Sequence, residues 1–550
     1  FFFANTFGTP HTMARFLNNP MAQMMKEGTR FNEDPVVKNI EACKELAAKT
    51  RSSLGPDGLN KMVINHLGKL FVTHDAATIM RELEVEHPAA KMLVMAAKAM
   101  EEEIGDATNF VIILAGELLN LAEQLVHMGV HTSYIIQGYL KCSEAALEIL
   151  PELVVKKVED IRNAEQVKVA LKTVVGSKQP GYVDHLAGLV SEACVNVCPK
   201  NQKGFNVDNI RVCKLDGCSV SDSSLIHGFV IARGTEGTVT ELKDAKIAVY
   251  NCAVDNASTD TKGKVDITDA EQLKNFSKTE EQAMEDIISG IAKSGVKVIV
   301  SSQSFGDMAM HFIERFGMMA VKVASKFEIR RLTAAVNATQ IVTLDPPSAE
   351  EIGRVSHVKV QEIGGKKVTV FQQEHETSKL STIIVRGPTA NILDDVERAI
   401  DDGVNAYKAL TRDNGLVPGA GACEIELYRR LIKVADECAE MHQYAMKKYA
   451  EAFMSIPTTL AEVSGHNATN VFTALMADHQ NGQTSHGVDI EEGTSRDMVE
   501  AGVLDLYLSK FWAIKFATDA ALTVLRVDTI IMAKQAGGPK APQGGAPEED

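Results

Sequence analysis

The chain has 550 residues, of which 45% are hydrophobic and 24% are charged, so we expect roughly two to four globular domains. Its 57 lysines and arginines and its 73 aspartates and glutamates give a net charge of −16, which argues against a nucleic-acid partner bound through its phosphates. The nine cysteines include no Cys-x-x-Cys pair, which argues against a zinc site and is typical of a reducing compartment.

Two segments bear on targeting and membrane insertion. Residues 1–5 lack the basic start of a signal peptide. The apolar stretch that begins at Phe110 is interrupted by Glu117, Asn120 and Glu123, whereas a membrane span needs about 20 mostly apolar residues. We therefore expect a cytoplasmic protein with no membrane partner.

Both ends of the chain have the apolar spacing of helices. Apolar residues recur at helical intervals over Pro88–Glu103, with Pro88 suited to the first turn. Residues 108–126 are apolar on most faces, which predicts a deeply buried helix. Near the C-terminus, Tyr507–Leu525 is again long, rich in alanine and helical in pattern.

The middle of the chain has a different pattern. Short apolar runs at 245–250, 296–301 and 318–323 predict strands, and helices are predicted at 306–316 and 327–336. This alternation is typical of a parallel α/β sheet. Residues 358–363 and 367–371 alternate around Gly364-Gly365, which predicts a hairpin.

Two polar segments are predicted to lie outside the packed core. Residues 251–274 carry many charges and few core-forming side chains, so we expect an exposed insertion. Residues 536–550 are rich in glycine and proline and are predicted to be disordered. Helical ends flanking an α/β centre suggest that the two ends form one domain interrupted by the middle.

Five short segments have the composition of ligand-binding loops. They are LGPDG at 54–58, THDAAT at 73–78, GDATN at 105–109, VPGAGA at 417–422 and GVLD at 502–505. None of them is a Walker A loop or a dinucleotide-binding fingerprint.

The GDATN segment precedes the predicted buried helix. A turn of small residues before a helix exposes unpaired N–H groups, which favour phosphate, and Asp106 offers the oxygen ligand that Mg²⁺ prefers. The alternative is that Asp106 or Thr108 simply caps the helix.

Asp75 and Asp402 are candidate bases for the activation of water. For Asp402 an alternative stays open, because Asp395, Arg398 and Asp402 are spaced as a salt-bridge ladder on one face of a helix.

The five segments occur in the same order as the LGP-x-G, NDGAT, GDGT, VPGGGA and G-x-x-D loops of the group II chaperonins, which the chain resembles over about residues 27–534. The segments DSSLI at 222–226 and RGP at 386–388 also resemble that family.

The resemblance implies a multi-domain α and α/β chaperonin fold. A helical equatorial ATPase domain would comprise residues 1–150 and 405–535, and 536–550 would be its tail. A small α/β intermediate domain would comprise 151–218 and 370–404, and an α/β apical substrate-binding domain 219–369, with a helical protrusion at 251–274 forming a lid.

The resemblance also assigns site residues. Asp106 would bind Mg²⁺, Asp402 would be the base, carried on the intermediate hinge, and Asp75 would assist it. ATP or ADP would be bound by Leu54, Gly55, Ala107, Thr108, Asn109, Phe110, Gly176, Ser177, Lys178, Ala420, Gly421 and Asp505. A base on a hinge reaches the nucleotide only when the domain closes, which would couple hydrolysis to lid closure.

The function implied is that of an ATP-dependent chaperone subunit. It would sit with seven other related subunits in a cytoplasmic double ring that encloses unfolded clients such as actin and tubulin. Clients would bind a groove on the helix at 306–316, through Met308, Met310, Phe312 and Ile313. The alternative is that these four side chains belong to the α/β core.

The chain departs from the family pattern within the nucleotide loops. The glycine of the family motif is replaced by alanine at Ala76, Ala107 and Ala420, and its asparagine is replaced by His74. Asn109 and Phe110 replace polar residues of the pattern, and Val463 replaces an asparagine. These changes keep open a second hypothesis, a structural ring subunit that binds nucleotide and hydrolyses it poorly. A third hypothesis, an unrelated phosphotransferase, lacks its usual motifs.

Overall fold

The computed structural model describes residues 35–530, except 66–67, 256–269, 374–379 and 439. The predicted tail at 536–550, residues 1–34 of the predicted equatorial domain, and most of the predicted protrusion at 251–274 lie outside the described residues.

The helices are α1 (Pro35–Arg51), α2 (Ala76–Glu82), α3 (Pro88–Glu103), α4 (Thr108–His127), α5 (Thr132–Ile149), α6 (Ala164–Gly176), α7 (Val183–Val197), α8 (Ala270–Lys293), α9 (Asp307–Arg315), α10 (Lys326–Val336), α11 (Ala390–Arg412), α12 (Ala422–Glu437), α13 (His442–Ala452), α14 (Ser455–Val463), α15 (Ala468–Gln480), α16 (Met498–Ala501) and α17 (Tyr507–Leu525). Short 3₁₀ turns lie at Leu150–Leu153, Pro180–Tyr182, Gln202–Gly204, Val207–Asn209 and Val220–Asp222.

The strands are β1 (Lys61–Ile64), β2 (Leu70–Thr73), β3 (Lys156–Lys157), β4 (Ile210–Asp216), β5 (Ser224–His227), β6 (Phe229–Ile231), β7 (Glu241–Tyr250), β8 (Val296–Ser301), β9 (Met319–Lys322), β10 (Gln340–Ile341), β11 (Gly353–Ile363), β12 (Lys366–Gln372), β13 (Ser381–Gly387), β14 (Gly415–Pro418), β15 (His486–Val488), β16 (Ser495–Asp497) and β17 (Leu504–Leu506).

The two ends of the chain pack into one helical core. Helix α4 lies at its centre and contacts α1, α3 and α17, which is why its sequence is apolar on nearly every face. Gly116 permits the close approach of α1, because a Cβ there would lie 2.3 Å from the Cβ of Ala47. Buried residues of both ends belong to one hydrophobic cluster that runs from Ile40 to Leu525 and also includes residues of α6, α7 and α11. The residue boundaries of the domains stay a prediction.

Helix α4 is also, within the described part of the chain, long and apolar enough to cross a membrane. Length and composition alone meet that criterion, and 67% of its most apolar window is buried inside the protein. Burial of this kind is what a core helix shows.

The middle of the chain forms a seven-stranded sheet. Its strand order is β6-β12-β11-β7-β8-β9, and β10 pairs with β7. Strands β7, β8 and β9 are parallel, as their alternation with helices predicted, whereas β11 and β12 form an antiparallel hairpin. Gly364 and Gly365 make the turn with φ angles of 59° and 79°, which favour glycine.

Helices cover both faces of this sheet. Side chains of α8 and α9 pack on one face with Ala248 and Tyr250, and α10 packs on the other with Ile247 and Val249. Successive strand residues point to opposite faces, so one strand serves both clusters. The predicted α/β pattern is confirmed here.

A smaller three-stranded sheet joins the middle to the ends. Its order is β4-β13-β5, with β13 parallel to β4 and antiparallel to β5. Helices α7 and α11 pack beside it, and α6 packs against both of these helices. Residues just before and just after the large sheet are thus brought together, which is what an inserted domain requires.

Candidate functional site

The five loop segments converge on one cavity of about 530 Å³. Every residue that the sequence assigned to nucleotide or Mg²⁺ lines it, and so does Asp75. These residues are Leu54, Gly55, Asp75, Asp106, Ala107, Thr108, Asn109, Phe110, Gly176, Ser177, Lys178, Ala420, Gly421 and Asp505. Asp402 does not line the cavity itself, but it contacts Lys178, which does. The volume is in the range of small-molecule binding sites.

The GDATN loop leads directly into α4. Its N-cap residue is Ala107, and no side chain caps the helix there, so the alternative that Asp106 or Thr108 is an ordinary cap is wrong. The first-turn residues Thr108, Asn109 and Phe110 line the cavity, and unpaired backbone N–H groups of an uncapped first turn would stabilise an anion there.

Asp106 is suited to a divalent cation that arrives with a nucleotide. Burial raises the pKa of its carboxyl above the usual range, and Lys178 opposes that shift only in part. A divalent cation would stabilise the ionised form. Mg²⁺ is commonly held by one or two carboxylates together with phosphate oxygens, so Asp106 could hold it beside a bound nucleotide.

Lys178 joins the two candidate bases. Its Nζ lies 2.9 Å from Oδ1 of Asp75 and forms a close ion pair with Oδ2 of Asp402. The three side chains are nearly buried, with exposed fractions of 12%, 9% and 13% for Lys178, Asp75 and Asp402. Lys178 offers one positive charge to two carboxylates, so it cannot neutralise both of them when both are ionised.

The surroundings give the two carboxylates different pKa values. Burial would raise the pKa of Asp75, but Lys178 and hydrogen bonds from Thr78 hold it below the usual range. Burial raises the pKa of Asp402 well above the usual range, and Asp75 and Asp106 add to that shift while Lys178 opposes it. Burial would lower the pKa of Lys178, but Asp402 and Asp75 raise it. Asp402 is therefore the more basic carboxylate.

The salt-bridge ladder considered for Asp402 does not form. Arg398 pairs with Asp395 at 2.6 Å, as that alternative required, but Asp402 turns to Lys178. The helix α11 places the two acids about two turns apart, so they face different neighbours.

Two of the three alanines that replace glycine have left-handed backbone conformations. Ala107 has a φ of 61° and Ala420 a φ of 51°. The left-handed region costs a non-glycine residue roughly 1–2 kcal/mol. Ala76, by contrast, lies in the first turn of α2 and carries no such strain.

The side chain of Asn109 fastens the loops together. Its Nδ2 donates to Ser53 at 2.9 Å, and its Oδ1 accepts from the backbone N–H of Ala76 at 2.9 Å. The side chain therefore holds protein groups, so any contact with phosphate would be made by the backbone at this position.

A second buried ion cluster that lines the cavity was not predicted from the sequence. Nζ of Lys510 lies 2.9 Å from Asp505 and 2.5 Å from Glu424, and 4.7 Å from the centre of the Phe110 ring. The sequence signal was present, because Lys510 interrupts the apolar helix α17 close after Asp505. Ser509, Asp489 and Arg496 also line the cavity and were missed.

The predicted client groove on α9 is largely core. Phe312 and Ile313 are 2% and 0% exposed and pack beneath the large sheet, so the expectation that they form a surface groove is wrong and the core alternative holds for them. Met308 and Met310 are half-buried against the same cluster. The amphipathic face of α9 is used to cover the sheet.

Comparison with known proteins identifies the class. Residues 46–535 match the model of the TCP-1/cpn60 chaperonin family. The chain therefore belongs to this family, which confirms the resemblance of its ordered loops.

Particular relatives are more specific. The T-complex protein 1 subunit theta of Gallus gallus is 52% identical over 528 residues, covering 95% of this chain and 96% of the relative. The protein of the same name from Homo sapiens gives the same values, and that of Arabidopsis thaliana is 51% identical over 522 residues, covering 94% and 95%.

Proposed function

We propose that this chaperonin chain binds ATP in the cavity and hydrolyses it, with Asp402 as the base that activates water and Asp75 as its helper. The observation that carries the proposal is the Lys178 bridge, which places both carboxylates beside the cavity that Asp106 lines. A carboxylate with a raised pKa is a better proton acceptor than one with an ordinary value. Single-turnover hydrolysis of bound ATP tests the proposal.

The residues act in a defined order. Phosphate oxygens that enter the cavity compete for the charge of Lys178 and free an oxygen of Asp402 for water. Asp402 accepts a proton as the water oxygen bonds to the γ-phosphorus, and the bond from that phosphorus to the bridging oxygen breaks to release ADP. Mg²⁺ held by Asp106 would supply positive charge to the phosphate oxygens.

The base and the metal-binding carboxylate lie at different secondary-structure elements. Asp402 lies on α11, which packs against α6, α7 and β13, whereas Asp106 precedes the central helix α4. Movement of α11 relative to α4 would set the distance from base to nucleotide. Hydrolysis would thus be coupled to domain closure, and closure to the enclosure of a client.

The chain would work as one subunit of a cytoplasmic double ring with seven other related subunits. Relatives about half identical in sequence are named as one subunit of a T-complex protein, which supports a hetero-oligomeric assembly. Unfolded clients such as actin and tubulin would be enclosed by it.

The second hypothesis, a subunit that hydrolyses ATP poorly, is favoured by the strained backbones of Ala107 and Ala420, and it concerns only the rate of hydrolysis.

Phe327 is a better candidate than α9 for client contact. It is 76% exposed at the start of α10, so its ring presents apolar area that a client could bury. Phe327→Glu should reduce the capture of an unfolded, crosslinkable client about fivefold, because it replaces apolar contact area with a charge. Nucleotide binding should not change.

Ala334→Glu is the matched control, since Ala334 is an exposed residue of the same helix and gains the same charge without losing a ring. Equal client capture by the two variants would remove Phe327 from the client-binding surface.

A further inference from the structure

His74 lies in the wall between two cavities. It lines the 530 Å³ nucleotide cavity, and it also lines a second cavity of about 540 Å³. Pro56, Lys178 and Pro180 line both cavities as well. The wall is therefore built from the loop after α1, the loop before α2 and the loop after α6.

The His74 ring makes one hydrogen bond to each of two separate segments. Its Nε2 lies 3.3 Å from the backbone carbonyl oxygen of Ser177, and its Nδ1 lies 2.9 Å from the side-chain Oδ1 of Asn60. A carbonyl oxygen only accepts, so Nε2 carries the proton. Burial and Lys178 lower the pKa of His74, which favours the neutral ring. A neutral ring that is protonated at Nε2 can only accept at Nδ1. We therefore assign the Asn60 amide with its NH₂ group, in place of Oδ1, facing Nδ1.

The bond to Ser177 acts on the residue that bridges the two carboxylates. Ser177 is the C-cap of α6, and Lys178 follows it directly. Asp75 follows His74 in the same way. The bond between His74 and Ser177 therefore fixes the backbones on both sides of the ion pair between Lys178 and Asp75.

We infer that His74 is a positioning residue for hydrolysis, which holds the Ser177 carbonyl and so sets Lys178 between Asp75 and Asp402. The inference rests on the proposed function for the step that Lys178 and Asp402 serve. Asparagine stands at this place in the family pattern. An asparagine amide ends near the position of Nδ1 in histidine and is too short to reach the Ser177 carbonyl, so asparagine could not make this contact.

Two uncharged substitutions separate the two hydrogen bonds. The amide of His74→Asn can reach Asn60 but not Ser177, whereas the longer His74→Gln places an NH₂ group near the position of Nε2. Each variant is introduced into this subunit alone in the assembled ring. His74→Asn should lower the kcat of this subunit about fivefold and change KM less than about twofold, because a misplaced reacting group slows chemistry more than binding. His74→Gln should keep kcat within about twofold of the parent.

A second readout needs no nucleotide. Hydrogen exchange of the backbone amides at 176–179 should be faster in His74→Asn than in the parent ring and unchanged in His74→Gln. Equal kcat values and equal exchange in the two variants would overturn the inference.

The variant Asp402→Ala in the same ring distinguishes failure of the inference about His74 from failure of the proposed function. Unchanged hydrolysis in Asp402→Ala would overturn the proposed function and, with it, the role of His74 in hydrolysis. Loss of hydrolysis in Asp402→Ala, together with parental kcat in His74→Asn, would overturn the inference alone.

Discussion

Asp402→Ala is expected to lower hydrolysis at this subunit by about 10²–10⁴-fold while ATP stays bound, because general-base catalysis contributes about that much. Asp402 reaches the cavity from α11 through Lys178, whereas the loops that line the cavity remain intact in the variant. The measurement is single-turnover hydrolysis in rings that carry the change in this subunit only, with bound nucleotide quantified in parallel.

The same residue predicts the pH dependence of the rate. A base must be deprotonated to act, so hydrolysis is retained above the pKa of the Lys178-linked acid pair and is lost as pH falls through it. Burial raises the pKa of Asp402 well above the ordinary value of 3.8, so the loss should begin at a higher pH than an ordinary aspartate would give. The value observed belongs to Asp75 and Asp402 together, since Lys178 couples them.

Asp394→Ala provides the matched control on the same helix. Asp394 pairs with Lys214 at 2.7 Å and does not line the cavity. An equal loss of hydrolysis in both variants would indicate that damage to α11, and not removal of a base, had slowed the reaction.

Restoring glycine at 107 and 420 is expected to speed hydrolysis about tenfold. Each alanine holds a left-handed φ that costs roughly 1–2 kcal/mol, and about 1.4 kcal/mol expressed in the transition state corresponds to tenfold in rate. Ala107 precedes the first turn of α4, where backbone N–H groups would meet phosphate. The measurement is the rate of ATP turnover by this subunit in the double variant.

Ala76→Gly is the control for this prediction. The family pattern also has glycine there, but Ala76 has a helical backbone, and glycine in a helix is destabilising by about 0.5–1 kcal/mol. It should not speed turnover. If the double variant turns over at the parental rate, the loops tolerate alanine, and the strain does not limit the reaction.

Much of the fold was predictable from local patterns. The helices at Pro88–Glu103 and Tyr507–Leu525 begin and end where predicted, because their apolar spacing and the proline at the first turn of α3 act locally. The hairpin turn at Gly364-Gly365 was also predictable from its local sequence. Which loops meet was predictable only from the resemblance, because the cavity joins residues from both ends of the chain.

Other features depend on which face is covered, and spacing does not reveal that. The apolar residues of α9 suggested an exposed groove, but the large sheet covers Phe312 and Ile313. The side chain of Asp402 was ambiguous between a ladder and a base until Lys178 was placed beside it. The buried Lys510 was missed because its partners, Glu424 and Asp505, lie on separate elements.

An electron cryomicroscopy structure of the native particle with ADP and a γ-phosphate mimic such as beryllium fluoride would test the proposed function most directly. We predict a two-ring particle in which this chain is one of eight different subunits. Its cavity should hold the nucleotide, with Mg²⁺ on Asp106 and with the carboxylate of Asp402 released from Lys178 and turned toward the phosphate mimic. A chain found outside any ring, or a ring in which this cavity stays empty while the other subunits are loaded, would contradict it.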